Sequence, residues 1–184
     1  VVGIAAWIQP VETRAEVASL DAVASEWAVQ DGSISITVRQ FGSDVTGTFS
    51  DWTSDISYDP DAAGDQKGTV ATTINIGSLT LGSVTNQALG PDFFDLEGFP
   101  TATFDAILVD RDGQLTADGT LTIKGASVPL AFPVFLALDG DTATVTAQTQ
   151  VNRMDFNVGT SQPDESSLGF AVGIDIALTA QRGA

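Results

Sequence analysis

Residues 89–104 read LGPDFFDLEGFPTATF, and where this stretch goes decides the fold. It packs Phe93, Phe94 and Phe99 into seven residues and adds Phe104 five residues later, aromatic surface that has to be buried somewhere. Asp92, Asp95, Glu97 and Pro100 alternate with the rings, a pattern that suits a short helical turn crossing an opening better than one regular strand. Pro100 ends that turn, because the residue before a proline is biased away from the helical region. The stretch therefore reads as a plug or lid over a β-structure, with its Phe rings pointing inward.

The segments on either side alternate with the period of strands. Before the lid, Ile34, Ile36 and Val38 share one face and Ser33, Ser35, Thr37 and Arg39 the other. Phe41-Gly42-Ser43-Asp44 supplies a turn into a second strand carrying Val45, Gly47 and Phe49, and the two form a hairpin. Trp52, Ile56 and Tyr58 continue the β-type composition. Val70, Thr72, Ile74 and Ile76 then share a face ahead of a Gly/Ser/Thr-rich run. After the lid, a hairpin turns around Asp112-Gly113 and runs through Leu115, Ala117, Gly119, Leu121 and Ile123 to a Lys124-Gly125 turn. Pro129 and Pro133 place the next segment at an edge, at a bulge or in an irregular strand, since proline donates nothing to a ladder. Ala143, Val145, Ala147, Thr149 and Val151 line one face of the next strand. Phe170, Val172, Ile174, Ile176, Leu178 and Ala180 line one face of the last.

One-sided strands with short turns and one helical excursion predict an all-β protein. The expected form is an antiparallel eight-stranded barrel that closes on itself and so removes its edges, with a short helical lid and an N-terminal helix. Residues 1–25 are read as an N-terminal apolar segment and helix, and 26–184 as the barrel. A barrel of about eight strands has an interior that fills with side chains or holds one small ligand. Small residues at Gly47, Ala106, Ala117, Gly119, Ala143 and Ala147 predict space inside: a long, thin apolar cavity under the Phe lid. Its expected lining is Ile36, Val38, Phe49, Ile74, Phe93, Phe94, Phe104, Leu121, Ile123, Phe132, Val145, Val172, Ile174 and Ile176. The opposing reading is a solid core in which Phe93, Phe94 and Phe132 fill that space.

Composition narrows the chemistry. Within 184 residues there are 24 acidic and 7 basic side chains, a net charge of −17, which argues against nucleic acid and against an anionic membrane surface as partners. With neither Cys nor His, disulfides, thiolate nucleophiles, imidazole bases and Cys/His zinc sites are excluded. Asp59, Asp61 and Asp65 invite a calcium reading, but Ala63 occupies the third ligand position and the loop reads as a solvated turn. Asp92 with Asp95, or Asp155 with Lys124, are the remaining acid–base pairs, and nothing in their spacing implies the burial that would split their pKa values. Arg153, two residues before Asp155, reads as half of a structural ion pair across a strand end or as the organiser of the loop that follows, with a ligand-anchoring or functional role as the alternative. The expectation is no enzyme, no catalytic residue, no metal and no covalent cofactor.

The motifs GTFSDW at 47–52, ISYDPD at 56–61, ALGPDFFDLEGFPTATF at 88–104, DGTLTIKGASVPLAFPV at 118–134 and NRMDFNVG at 152–159 together resemble the YceI-like family of bacterial secreted, lipocalin-like, polyisoprenoid-binding domains. The resemblance covers approximately residues 26–182. It implies a lipocalin-like barrel whose pocket takes an isoprenoid lipid or quinone as a bound ligand, for storage or transport. It further implies a periplasmic or secreted location, with tethering to a membrane through the segment before residue 10. Beyond the lipid, the partners it implies are an inner-membrane partner or a fused membrane domain, including cytochrome-linked ones; a homodimer is a further expectation. The alternative is a structural or interaction domain of such a membrane-associated complex. Many members carry a His in the strand region that here reads SISITVRQFGSDVTG, and Arg39 to Asp44 contains none.

Overall fold

A computed structural model describes residues 26–182. The expected N-terminal apolar segment and the helix over 11–26 fall almost wholly outside the described residues. The described residues fold as ten antiparallel strands in one curled sheet: β1 (Trp27–Gln40), β2 (Ser43–Phe49), β3 (Trp52–Tyr58), β4 (Gln66–Asn75), β5 (Leu79–Thr80), β6 (Thr101–Arg111), β7 (Gln114–Ile123), β8 (Ala126–Asp139), β9 (Thr142–Asn152) and β10 (Leu168–Arg182). Their order across the sheet is β3-β4-β6-β7-β8-β9-β10-β1-β2-β5. The all-β, lipocalin-like architecture agrees with the sequence; the eight-stranded count does not. One cause is the break at Ser50-Asp51, where the Asp51 carbonyl and carboxylate accept from the backbone and side chain of Asn75, both at 2.9 Å. This splits what would be one bent strand into β2 and β3.

Nor, among the described residues, does a ladder close the sheet, whose order begins at β3 and ends at β5. The first half of β1 instead approaches the end of β3, where the Trp27 indole donates to the Tyr58 carbonyl at 3.3 Å and the Glu26 carboxylate accepts from the Tyr58 N–H at 3.0 Å. The sheet turns its corner within β8. Residues 126–133 pair with β7, and residues 134–139 with β9. Pro129 and Pro133 lie in the half paired on one side only, so the strand is locally an edge and loses no ladder bond there.

Four hairpin turns have two residues each. Phe41-Gly42, Asp112-Gly113 and Lys124-Gly125 hold both central residues at positive φ, as a type I′ loop requires. The inward alternation holds along β9 and along β10 from Val172 onward: Ile176 pairs with Ile34 on one side and Ala147 on the other. Between β4 and β6 the chain leaves the sheet except at β5, which pairs with β2. Short turns at Ile76–Ser78 and Gly82–Val84 lead to a four-residue helix, α1 (Thr85–Ala88), and then to hydrogen-bonded turns over 89–99. This segment covers one end of the curl, and the helical turn precedes the Phe-rich stretch instead of lying in it. Ile76, Leu79, Leu81 and Ala88 are buried against Ile34, Ile36 and Phe49, so the cover is part of the core.

Candidate functional site

The curled sheet surrounds a main cavity of about 200 Å³, running from Trp27 and Tyr58 at one end to Phe94, Arg153 and Phe156 at the other. Trp27 to Ile36 spans roughly 30 Å of strand at about 3.3 Å per residue, so so small a volume means a narrow lumen. The wall is aliphatic and aromatic apart from Ser54, Thr72, Thr149, Tyr58 and Arg153. Ser54 and Thr72 satisfy each other through their hydroxyls at 2.7 Å, which removes two polar groups from the lumen's demand for water. Trp27, 2% exposed, forms the floor with Leu178, Ala180 and Ala143. The Tyr58 phenol is pushed up, chiefly by burial and then by Asp110, Asp59 and Asp61, and so stays neutral.

A second cavity of about 270 Å³ lies above the first, beneath α1 and the turns that follow it, and shares Ile36, Phe94, Arg153, Val158 and Val172 with the first. Its wall adds Gln40, Gln87, Gln162 and Ser167. The Phe94 ring stands at the junction, edge-on to Phe49 at 6.2 Å between centroids.

Of the lining expected from sequence, Ile36, Phe49, Ile74, Phe94, Phe104, Leu121, Ile123, Phe132, Val145, Val172, Ile174 and Ile176 face the main cavity, and Val38 and Phe93 face the second. Phe104 and Phe132 stack at 5.4 Å across the wall and leave the lumen open, so the solid core does not form. Phe99 departs from the expectation that the lid's rings point inward. It is 37% exposed and lies over the β7–β8 turn, its ring 3.0 Å from where a Cβ on Gly125 would sit. Phe170, expected inward with β10, is instead under the Arg153 guanidinium at 5.3 Å. Two of the small residues leave no space either. A Cβ on Gly47 would stand 2.6 Å from Leu81 of the cover, and one on Gly119 2.0 Å from the Asp105 carbonyl. Ala117, Ala143 and Ala147 do face the lumen.

Arg153 is the feature that sequence reading placed least well. It sits 3% exposed at the junction of the two cavities, and it pairs with no carboxylate. Its Nε donates to Gly169 O at 2.8 Å, Nη1 to Val158 O at 3.1 Å and Gly159 O at 2.7 Å, and Nη2 to Gln162 O at 2.6 Å and Leu168 O at 3.0 Å. Five carbonyls for five N–H groups satisfy the fork completely. Burial lowers its pKa from the ordinary arginine value, opposed by the charges of Glu165 and Asp92. The organiser reading is the correct one: Arg153 ties the 157–168 loop to β10. The short turn that carries it, Arg153–Phe156, is started by the Asn152 side chain accepting from the Met154 N–H and ended by Asn157 at φ 58. Gly159 lets the loop pass through the gap, because a Cβ there would come within 2.8 Å of Arg153 and 3.0 Å of Phe93.

Asp92 latches the cover to that same loop. Its carboxylate accepts from the hydroxyls of Ser161 and of Thr160, the latter at 3.3 Å, and its carbonyl accepts from the Gly159 N–H at 2.7 Å. The Ser161 hydroxyl holds the carboxyl below its ordinary value. Lys124 donates to the Asn157 carbonyl at 2.9 Å from the neighbouring turn. Asp92 and Lys124, two of the candidate acid–base residues, are therefore engaged in holding the covered end together. Asp59 accepts from the Asp61 N–H at 2.9 Å, a local turn closure.

Comparison with known proteins follows the same geometry. A UPF0312 protein of Pseudomonas fluorescens (strain SBW25) is 30% identical over 144 residues, covering 73% of this chain and 72% of that protein. The crystal structure of Burkholderia cenocepacia BcnA superposes with a TM-score of 0.76 at 30% identity, over 82% of this chain and 96% of that one. A polyisoprenoid binding domain from Saccharophagus degradans shares the fold, with a TM-score of 0.67 at 15% identity over 87% of this chain and 100% of that one. The YceI-like domain model matches residues 19–180, from before the first described strand almost to the end of β10, and the chain belongs to that family.

Proposed function

We propose that the protein binds a polyisoprenoid lipid, an isoprenoid quinone or an isoprenyl lipid, in its lumen and stores or carries it without chemistry of its own. The observation that carries this reading is the main cavity, long, narrow and almost wholly carbon-lined. Such a space takes a thin flexible chain and excludes a compact ligand of the same volume. A dry apolar cavity of about 150 Å³ already holds a benzene-sized guest, and burial of the chain supplies affinity at about 25 cal/mol per Å² before the costs of association. The neighbour described as a polyisoprenoid binding domain supports the choice of chain. Among the described residues lining either cavity, Arg153 is the one basic side chain, and its donors are spent on carbonyls. A neutral head group such as a quinone therefore suits the covered end better than a phosphate. A periplasmic or secreted setting beside a membrane fits a carrier of this kind.

The test is a titration read by tryptophan emission. Trp27 and Trp52 both line the lumen, so an isoprenoid quinone that enters should quench them saturably, and a non-quenching isoprenoid alcohol should reverse the quenching by competition. Quenching that rises linearly without saturation, or that the alcohol does not reverse, would remove the lipid reading and leave a structural or interaction domain in its place.

A further inference from the structure

The tip of the β1–β2 hairpin breaks a local rule that the other type I′ turns either keep or compensate. The first central position of such a turn favours Asn, Asp or Gly because φ is positive there. Asp112 obeys. Lys124 does not, but its ammonium is tied to the Asn157 carbonyl at 2.9 Å. Phe41 is at φ 49 and 75% exposed, an aromatic ring held in strained backbone and presented to solvent. Strain of this kind persists where something other than stability selects the residue. The tip is also firmly held: the Phe41 N–H donates to the Ser167 carbonyl at 2.9 Å, and Gln40 pairs with Leu168 beyond an irregularity in β10 opposite Arg39. Phe41 stands on the rim of the second cavity, whose wall also includes Phe93 and Val84 of the cover.

We propose that this hairpin tip is a docking element for a lipid bilayer, with Phe41 entering the interface so that the mouth of the second cavity opens against the membrane that supplies or receives the ligand. The inference rests on the lipid-binding reading, and its occupant is a bilayer of low surface charge. With a net charge of −17, the protein is repelled by anionic lipid. At the tip itself the nearest opposite charges, Arg39 and Asp44, pair with each other at 3.3 Å, so the element that touches the surface is locally compensated. An isolated exposed apolar residue means little by itself. Here exposure, strained backbone and a place on the rim of the second cavity coincide in one residue.

The experiment measures transfer of a dansyl-labelled tetraprenyl alcohol to the full chain from phosphatidylcholine vesicles and, separately, from detergent micelles. Phe41→Asn restores a favoured turn residue and should keep or raise the unfolding midpoint. The ratio of vesicle to micelle transfer rates should fall roughly tenfold, the scale of losing one aromatic from an interface, and the ratio cancels any change in affinity. Phe41→Trp should keep the ratio, and its added indole should be quenched by brominated phosphatidylcholine vesicles free of any ligand. Vesicles rich in phosphatidylglycerol should support slower transfer, and salt should narrow the difference. An unchanged ratio in Phe41→Asn overturns the proposal, as does an indole that brominated lipid leaves unquenched or that is shielded by self-association without lipid. If the alcohol binds from neither source, the lipid-carrier reading fails, and the quenching experiment still decides whether the tip docks.

Discussion

Placing a ring at Ala147 should divide the lumen. Ala147 lies mid-wall on β9, paired with Val134 and Ile176, buried and facing the main cavity. In Ala147→Phe the phenyl ring would project into empty space, so its cost to stability should stay below the roughly 1–3 kcal/mol of ordinary overpacking. Its cost to binding should be larger. A ring at this level displaces a length of chain close to one five-carbon isoprene unit, and at about 0.8 kcal/mol per methylene the loss is about 4 kcal/mol, near a thousandfold in Kd. Quinones with tails of increasing isoprene number, titrated by tryptophan quenching, give the assay. Wild-type affinity should climb with each unit until the lumen is full, whereas the variant should stop gaining after fewer units. Ala131→Phe, on the exposed face of β8, should behave as wild type. A folded Ala147→Phe protein that binds the longest tail as tightly as wild type would refute the lumen as the binding site.

Three further outcomes follow from the covered end. Arg153→Met removes a buried cation from five carbonyls and should cost about 3–5 kcal/mol in urea unfolding, with the 157–168 loop becoming a site of proteolytic cleavage. The Asp92 latch should weaken in acid. Its folded pKa is depressed, so its contribution is complete above the ordinary value of 3.8 and is lost as pH falls through the lower folded value; ligand release should quicken over that window, and Asp92→Asn should abolish the dependence. Gly47→Ala sets a methyl against Leu81 and the Thr80 carbonyl, and should destabilise by about 1–3 kcal/mol while raising amide exchange in the cover.

The walls of the lumen were legible because alternation carries position directly. A strand's period of two assigns each side chain a face, which is why Val172 to Ala180 on β10 and Ala143 to Val151 on β9 face inward as read. Tyr58 on β3 and Leu136 on β8 stay in phase with their strands, and extending the pattern to the strand ends would have found them; Trp27 is out of phase with Ile34 and Ile36 because the register shifts between Val29 and Asp31, so alternation alone misses it. The covered end has no such period. Nothing in GFP distinguishes an outward Phe99 from an inward Phe94, because turns over 89–99 set ring direction through backbone hydrogen bonds to Ala88, Leu89 and Gly90. Arg153 was equally opaque. Its partners are carbonyls, which every residue has, so the sequence offered Asp155 and the following loop alike and held nothing that chose between them. The Ser/Thr-rich run before α1 likewise concealed the buried Leu79 and Leu81, the latter packed where Gly47 leaves it room.

Native mass spectrometry of the protein purified from bacterial cells, with organic extraction and identification of what leaves with it, tests the central claim most directly. The account predicts a bound isoprenoid at about one per chain, lost or shortened in Ala147→Phe. A clean ligand-free mass that persists after incubation with isoprenoid quinones and isoprenyl alcohols would contradict it.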